Sequence, residues 1–190
     1  MIRRRLPALL LFLSLLGGCL ASPNPTLYTL APVQGTPLQG VAPKTVGLRS
    51  VSLARYLERP QIVLSSTGYQ LMLADNDWWG EPLGAMLNRV LVEELSQRLP
   101  GSSVLAEAGA ITAMPEATVE VNLLRLDADQ DGTVVLRAQY GITPARGPGL
   151  TRDVEIRVPP PSPGIRGQVA ARSVAVGQLA DRIAASLAGR

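Results

Sequence analysis

The chain has one thiol, Cys19, and no histidine. A single cysteine cannot close an intramolecular disulfide, and without histidine it has no partner for a Cys/His nucleophilic pair. Its chemistry must therefore come from its neighbours. Arg3, Arg4 and Arg5 precede an apolar run from Leu6 to Leu16, and Gly17-Gly18 stands directly before the cysteine. The run is too short to cross a bilayer as a helix, which takes about 20 apolar residues. Charge, apolar core, small residues and cysteine fall in the order of a secretory signal ending in a bacterial lipobox. The expected chemistry is thioether acylation of Cys19, with cleavage just before it.

Other residues capable of chemistry are few. Asp127, Asp129 and Asp131 followed by Gly132 match the opening of a calcium-binding loop. The twelfth position of that loop should be a bidentate carboxylate and is Ala138, and its flanks alternate like strands instead of forming helices. Asp131-Gly132 reads better as a hairpin turn. Glu93 and Glu94 are adjacent on a helical pattern, which points them in different directions; Glu93 is expected in solvent and Glu94 at the rim of the apolar stripe. There is no G-x-S-x-G, no phosphate-binding loop and no spaced set of metal ligands. The reading is of a protein that is not an enzyme, with no catalytic residue, no metal and no cofactor.

Charge excludes a further class. The net charge of +3 comes from the three arginines of the signal, and removing them leaves 15 of the 18 basic residues against 15 acidic ones. A neutral body without clustered arginines has no footprint for a nucleic-acid backbone.

The elements that position these residues follow from periodicity. Residues 1–18 are the signal peptide, 19–25 a lipidated, proline-broken tether, and 26–190 one domain large enough to bury a core without disulfides. Short strands are expected over Leu27 to Ala31 and over Lys44 to Leu53, the second with a bulge or bend. A hairpin joins Gln61 to Ser65 with Tyr69 to Ala74 through Ser-Ser-Thr-Gly. Asn76 or Asp77 would cap a helix whose stripe is Leu83, Leu87, Val90, Leu91, Leu95 and Leu99, stopped by Pro100-Gly101. A short strand near Ser103 to Ala106 follows. A long hairpin then pairs the strand from Val119 with that from Val134, and a further strand covers Thr151 to Val158. A second amphipathic helix spans Gln168 to Leu187. Together these give an α+β fold: an antiparallel or mixed sheet with two long amphipathic helices packed on one face.

Within this frame one stretch is unusually dense in recognition-type residues. Arg59-Pro60, Tyr69 at a hairpin tip, and the tandem Trp78-Trp79 fall within 28 residues of Tyr56. Two adjacent tryptophans at a helix start cannot both face one core, so one is expected buried and the other available for contact.

These residues carry a resemblance. The lipobox LLGGC, LYTL at Leu27 to Leu30, YLERPQIV at Tyr56 to Val63, DWWGEPL at Asp77 to Leu83 and the leucine-rich helix after it resemble the ABC-type transport auxiliary lipoproteins of the PqiC/YmbA-like type. The doubled tryptophan departs from the usual single one, and the C-terminal half matches by pattern only. The resemblance implies a periplasm-facing lipoprotein at the outer membrane, in keeping with Leu20 after the cysteine. It implies service as a docking subunit beside an MCE-domain protein and its inner-membrane transporter subunits, in phospholipid transport between the two membranes. Partner-binding residues under this reading are Arg59, Pro60, Tyr69 and one of Trp78 and Trp79. Homo-oligomeric assembly stays open. Two other readings stand beside it: a lipid carrier with its own acyl pocket, and an outer-membrane assembly lipoprotein of the lipopolysaccharide-export kind.

Overall fold

The computed structural model describes residues 24–40, 42–107, 109–111 and 113–189. The signal peptide, Cys19 and most of the tether lie outside these residues. The strands are β1 (Thr26–Tyr28), β2 (Thr45–Leu48), β3 (Ser52–Leu53), β4 (Gln61–Ser65), β5 (Met72–Trp79), β6 (Ser103–Ala106), β7 (Ala117–Ala128), β8 (Val134–Pro144) and β9 (Leu150–Val158). A 3-10 turn, Arg55–Leu57, precedes β4; helix α1 is Leu83–Arg98 and helix α2 is Gly164–Leu187. The architecture is the expected α+β one, with all nine strands in one mixed sheet.

β7 organises that sheet. One of its edges pairs antiparallel with β8 along its full length, and β8 pairs with β9 in the same sense. Asp129 to Thr133 turn the β7–β8 hairpin, with Gly132 at φ +82° where a side chain would be strained. The other edge is shared end to end by three short parallel strands: β2 against Ala117 to Val119, β3 against Asn122 and Leu123, and β4 at Ala128 alone. The expected bend between β2 and β3 is where the chain moves from one stretch of this edge to the next. Beyond β4 come β5 and then β1, while β6 flanks β2.

The alternation in β7 buries Val119, Val121 and Leu123 and exposes Glu120 and Asn122. A bulge at Leu124 then inverts the phase, so Leu126 and Ala128 turn inward. The two helices pack against each other and cover the apolar face of the sheet. α1 contributes Leu83, Met86, Leu87, Val90, Leu91 and Leu95, each at most 4% exposed. α2 lays Ala171, Ala175, Val176, Leu179, Ala180, Ile183 and Ala184 against the sheet and its neighbouring helix; the small side chains bring its backbone close. It begins four residues before the expected Gln168, directly after Pro163, whose φ of −65° suits a helix start.

Three expectations are corrected. Asn76 and Asp77 do not cap α1: they lie within β5, and Pro82 precedes the helix. The register between β4 and β5 slips between Gln61↔Trp78 and Val63↔Leu73, so residues 74–77 bulge out of that ladder. They are held instead from the other side, where Thr26 pairs with Asp77 and the Asn76 side-chain amide donates to the Asn24 carbonyl at 2.9 Å. The tryptophans consequently lie on a strand. The returning strand also starts at Met72, which leaves Tyr69 in the turn at φ +65°. Finally, Glu94 is at 0% exposure, inside the core and not at its rim.

Two centres of buried charge, one at Arg172 beside Asp127 and one at Glu94 with Arg98, complete the packing. Arg172 of α2, fully buried, donates to the Val63 carbonyl at 2.7 Å, to the Leu126 carbonyl at 3.4 Å and to the Gln168 side chain at 3.1 Å. Val63 and Leu126 belong to β4 and β7, which pair only at Ser65↔Ala128, so the guanidinium supplies donors where the ladder is open. Burial lowers its pKa to about 10, opposed by the nearby Asp127 and Tyr56.

At the second centre, Glu94 holds an irregular strap. In that strap Leu30 N–H meets the Met86 sulfur, Ala31 N–H the Ser173 hydroxyl, and Val33 N–H the Glu94 carboxylate at 2.8 Å. Arg98 donates to the carbonyls of Val33, Glu94 and Gly177 and to Asp181 at 2.5 Å, joining strap, α1 and α2. A Cβ at Gly35 would lie 2.2 Å from the Arg98 guanidinium carbon, so a side chain there would displace that guanidinium from its partners. Burial pushes Glu94 up to about 7, with Val33 N–H and Arg98 pulling the other way.

Arg172→Met leaves two buried carbonyls without their donor and should cost about 3 kcal/mol in denaturant unfolding, with Arg172→Lys recovering only part of it. For Glu94 the folded state holds the proton more tightly than the unfolded chain, whose carboxyl has the ordinary value of 4.5. The contribution of Glu94 to stability should thus be greatest below that value, fall as the pH rises towards about 7, and level off above, at no more than about 1.4 kcal/mol per pH unit. Urea midpoints measured across this range should show the decline in the parent protein, and the difference should vanish in Glu94→Gln.

Candidate functional site

The chain segment before β4 is shaped by its own turn. Arg59 Nε donates to the Tyr56 carbonyl at 2.9 Å, closing the 3-10 turn, and Pro60, which has no N–H to give, instead accepts from Trp79 N–H at 2.7 Å. This second bond ties the start of β4 to the end of β5. Glu81, Pro82 and the first turn of α1 then lie against Val51 and Leu53 of the β3 region.

Between these pieces is a groove of about 560 Å³ lined by Val51, Leu53, Glu58, Arg59, Pro60 and Trp79, with Leu83 and Gly84 of α1 opposite. Its walls are mainly apolar, and Glu58, Arg59 and Glu81 supply charge. A second depression of about 630 Å³ shares Val51 and Gly84 and continues along α1 past Asn88, Arg89 and Val92. Arg89 is held by Glu81 at 2.7 Å. Gly84 stands where the two depressions meet: an added Cβ would lie 3.5 Å from the Val51 carbonyl oxygen and 3.6 Å from Leu53 Cδ1, both ordinary contacts.

Of the five residues singled out by sequence, the structure brings together Arg59, Pro60 and Trp79. Strand alternation separates the tryptophans: Trp79 turns inward at 7% exposure and forms the inner wall, while Trp78 occupies the opposite face, half-buried, its indole N–H enclosed and without a hydrogen-bond partner. Tyr69 is elsewhere, fully exposed at the tip of the β4–β5 hairpin.

The three aspartates that resemble a calcium loop do not converge. Asp127 is buried and accepts from the Tyr56 hydroxyl and Arg125 Nε, both at 2.8 Å. Asp129 pairs with Arg157 at 2.9 Å, and Asp131 caps the turn through Thr133 N–H. The Arg157 and Thr133 bonds, respectively, hold their pKa values below the ordinary range. Burial, and then Asp127, raise the Tyr56 hydroxyl above its usual value. Among the described residues no group of three or more histidine, cysteine or acidic side chains is placed to hold a metal.

Sequence reading missed Arg172, Arg98 and the burial of Glu94. Arg172 was detectable in principle: it stands four residues before Val176 and three after Val169, on the apolar stripe of α2, where an unpartnered arginine would not be tolerated.

Comparison with known proteins agrees with this organisation. The sequence model of the family described as "ABC-type transport auxiliary lipoprotein component" matches residues 28–184. The intermembrane transport lipoprotein PqiC of Escherichia coli is 24% identical over 128 residues, covering 66% of this chain and 67% of the relative, and PqiC of Shigella flexneri gives the same figures. A crystal structure of an uncharacterized protein superposes with a TM-score of 0.74 at 20% identity, over 87% of this chain and 99% of that one. One from Xanthomonas campestris gives 0.68 at 16% identity, over 86% and 94%. With a family match running from β1 into the last turns of α2, the chain belongs to the ABC-type transport auxiliary lipoproteins.

Proposed function

We propose that this protein is a non-catalytic docking subunit of an intermembrane transport system, fastened to the periplasmic side of the outer membrane by a lipid on Cys19. Its partner is an MCE-domain protein that works with inner-membrane transporter subunits, and the groove beside Arg59, Pro60 and Trp79 receives a segment of that partner. The observation that carries the reading is the groove itself. Three residues expected at a partner surface, drawn from the approach to β4 and the end of β5, line one depression next to α1. Apolar walls with interspersed Glu58, Arg59 and Glu81 suit an amphipathic peptide segment, whose apolar side chains would enter while its polar ones meet the charges.

The lipid-carrier reading has less support. It needs space between the helices and the sheet, and that interface is filled: Val46, Val119, Val134, Leu136, Ala171, Ala175, Val176 and Ile183 are all at or near 0% exposure. Among the described residues no helix is long and apolar enough to cross a membrane, which leaves the Cys19 lipid as the proposed attachment.

Gly84→Leu and Cys19→Ser separate the two halves of the proposal. A leucine at position 84 fills the junction of the two depressions without entering the core. It should leave the unfolding midpoint unchanged or slightly raised and weaken capture of the soluble MCE domain by about tenfold or more, a loss of about 1.4 kcal/mol. Cys19→Ser should move the protein out of the membrane fraction while its affinity for that domain in solution persists. Full affinity in Gly84→Leu would rule out the groove as the docking site, and Cys19→Ser still sedimenting with outer membrane would rule out the anchor. Lipid found in native mass spectra of acyl-free protein would favour the carrier reading.

A further inference from the structure

The β4–β5 hairpin tip is uncharged and carries exposed apolar side chains. From Ser65 to Met72 the sequence SSTGYQLM contains no charged residue. Tyr69 is 109% exposed, Met72 58% and Leu71 45%, three large side chains within four positions. Tyr69 is also the one non-glycine at positive φ among the described residues, following Gly68 at φ +66°, so the turn displays its ring outward. An exposed patch of this kind on an otherwise polar loop calls for something to cover it.

Topology identifies what lies nearby. β1 runs parallel to β5, with Thr26 opposite Asp77, so the chain enters the fold from the Met72 end of β5. Asn24, the first described residue, is fixed there by Asn76. It stands five positions after Cys19, a reach of at most about 18 Å when fully extended. From the level of Asn24, Met72 at the base of the tip is about 10 Å further along the strand. The chain thus arrives at β1 from the side of the molecule that carries Tyr69, Leu71 and Met72, and Met72 lies within the tether's reach of Asn24. The groove sits at the opposite end of β5, about 20 Å away along the strand.

We propose that the β4–β5 tip is a second membrane contact, in which Tyr69, Leu71 and Met72 seat in the interfacial layer of the leaflet that holds the Cys19 lipid. The inference rests on the anchor reading above. A tyrosine with adjacent aliphatic side chains suits that layer, where the ring lies among acyl chains and the hydroxyl stays wet. With no basic residue in the tip, seating depends on apolar burial and does not require anionic lipid. Its role is orientation: one lipidated residue leaves a body free to swivel, whereas two contacts hold the groove away from the bilayer, facing a partner that approaches from across the periplasm.

The mature protein offers a direct test, because on the anchor reading its one cysteine is taken up by the lipid, which makes an introduced cysteine a unique label site. Lipidated protein with Leu71→Cys, or with Tyr69→Cys where the side chain packs on nothing, is labelled with an environment-sensitive fluorophore. It is then reconstituted in phosphatidylcholine vesicles containing a lipid-borne quencher. Ile111→Cys, 68% exposed in the loop before β7 and at the other end of that strand, is the control. Quenching at 69 and 71 should exceed that at 111 by about threefold or more and be insensitive to salt. Equal, weak quenching at all three positions in protein that still floats with the vesicles would overturn the tip contact and leave the anchor standing. Failure to float would overturn both.

Discussion

The free edge of β7 is the constraint from which the rest of this structure follows. A twelve-residue strand in a sheet exposes a row of N–H and C=O groups on each side, and every buried one needs a partner. β8 satisfies one side in a single hairpin. The other side is answered piecemeal by β2, β3 and β4, none longer than five residues, and between the last two by a guanidinium reaching down from α2. Arg172 is thus a substitute for missing strand. Its burial is tolerated because the carbonyls of Val63 and Leu126 need donors and because Asp127 lies close enough to favour its charge. The groove is a by-product of the same arrangement, since the chain leaves the sheet between β3 and β4 to form the 3-10 turn, and α1 approaches the space so created.

The strand directions also set the groove and the hairpin tip at opposite ends of β5. Because β4 is parallel to β7 and β5 antiparallel to β4, the hairpin tip, the chain entry at Asn24 and the β7–β8 turn fall together, while Pro60 and Trp79 are carried to the far end of β5. On the proposed reading, a lipid on Cys19 sets which end faces the membrane, and the groove is left facing away from it. The strap of residues 30–38, laced to both helices through Glu94, Arg98 and Ser173, keeps the entering chain attached to the body beyond β1.

Much of this was legible in the sequence where the signal is local. The leucine stripe of α1, the β7–β8 hairpin with its Asp-Gly turn and the break before β4 are all set by neighbours within a few residues. What was not legible depends on distant partners. Asn76 and Asp77 have the chemistry of helix caps, and only pairing with β1 and the bulge opposite β4 reveal them as strand. Glu94 reads as rim because periodicity places it beside the stripe, and its burial is decided by a strap 61 residues earlier in the chain. Arg59, Pro60 and a tryptophan, grouped by the sequence, do lie together, because a proline and an aromatic flanking one hairpin are brought together by its pairing. Tyr69 was grouped with them by proximity in sequence, yet the length of that hairpin carries it to the other end.

Hydrogen exchange on the lipidated protein bound to vesicles, with and without the soluble MCE domain, addresses the two-ended arrangement most directly. Vesicles alone should slow exchange in residues 66–72, and adding the partner should slow it in 51–59 and 80–84 while leaving the tip as it was. Partner-dependent protection of 66–72, or vesicle protection centred on 51–59, would contradict the account.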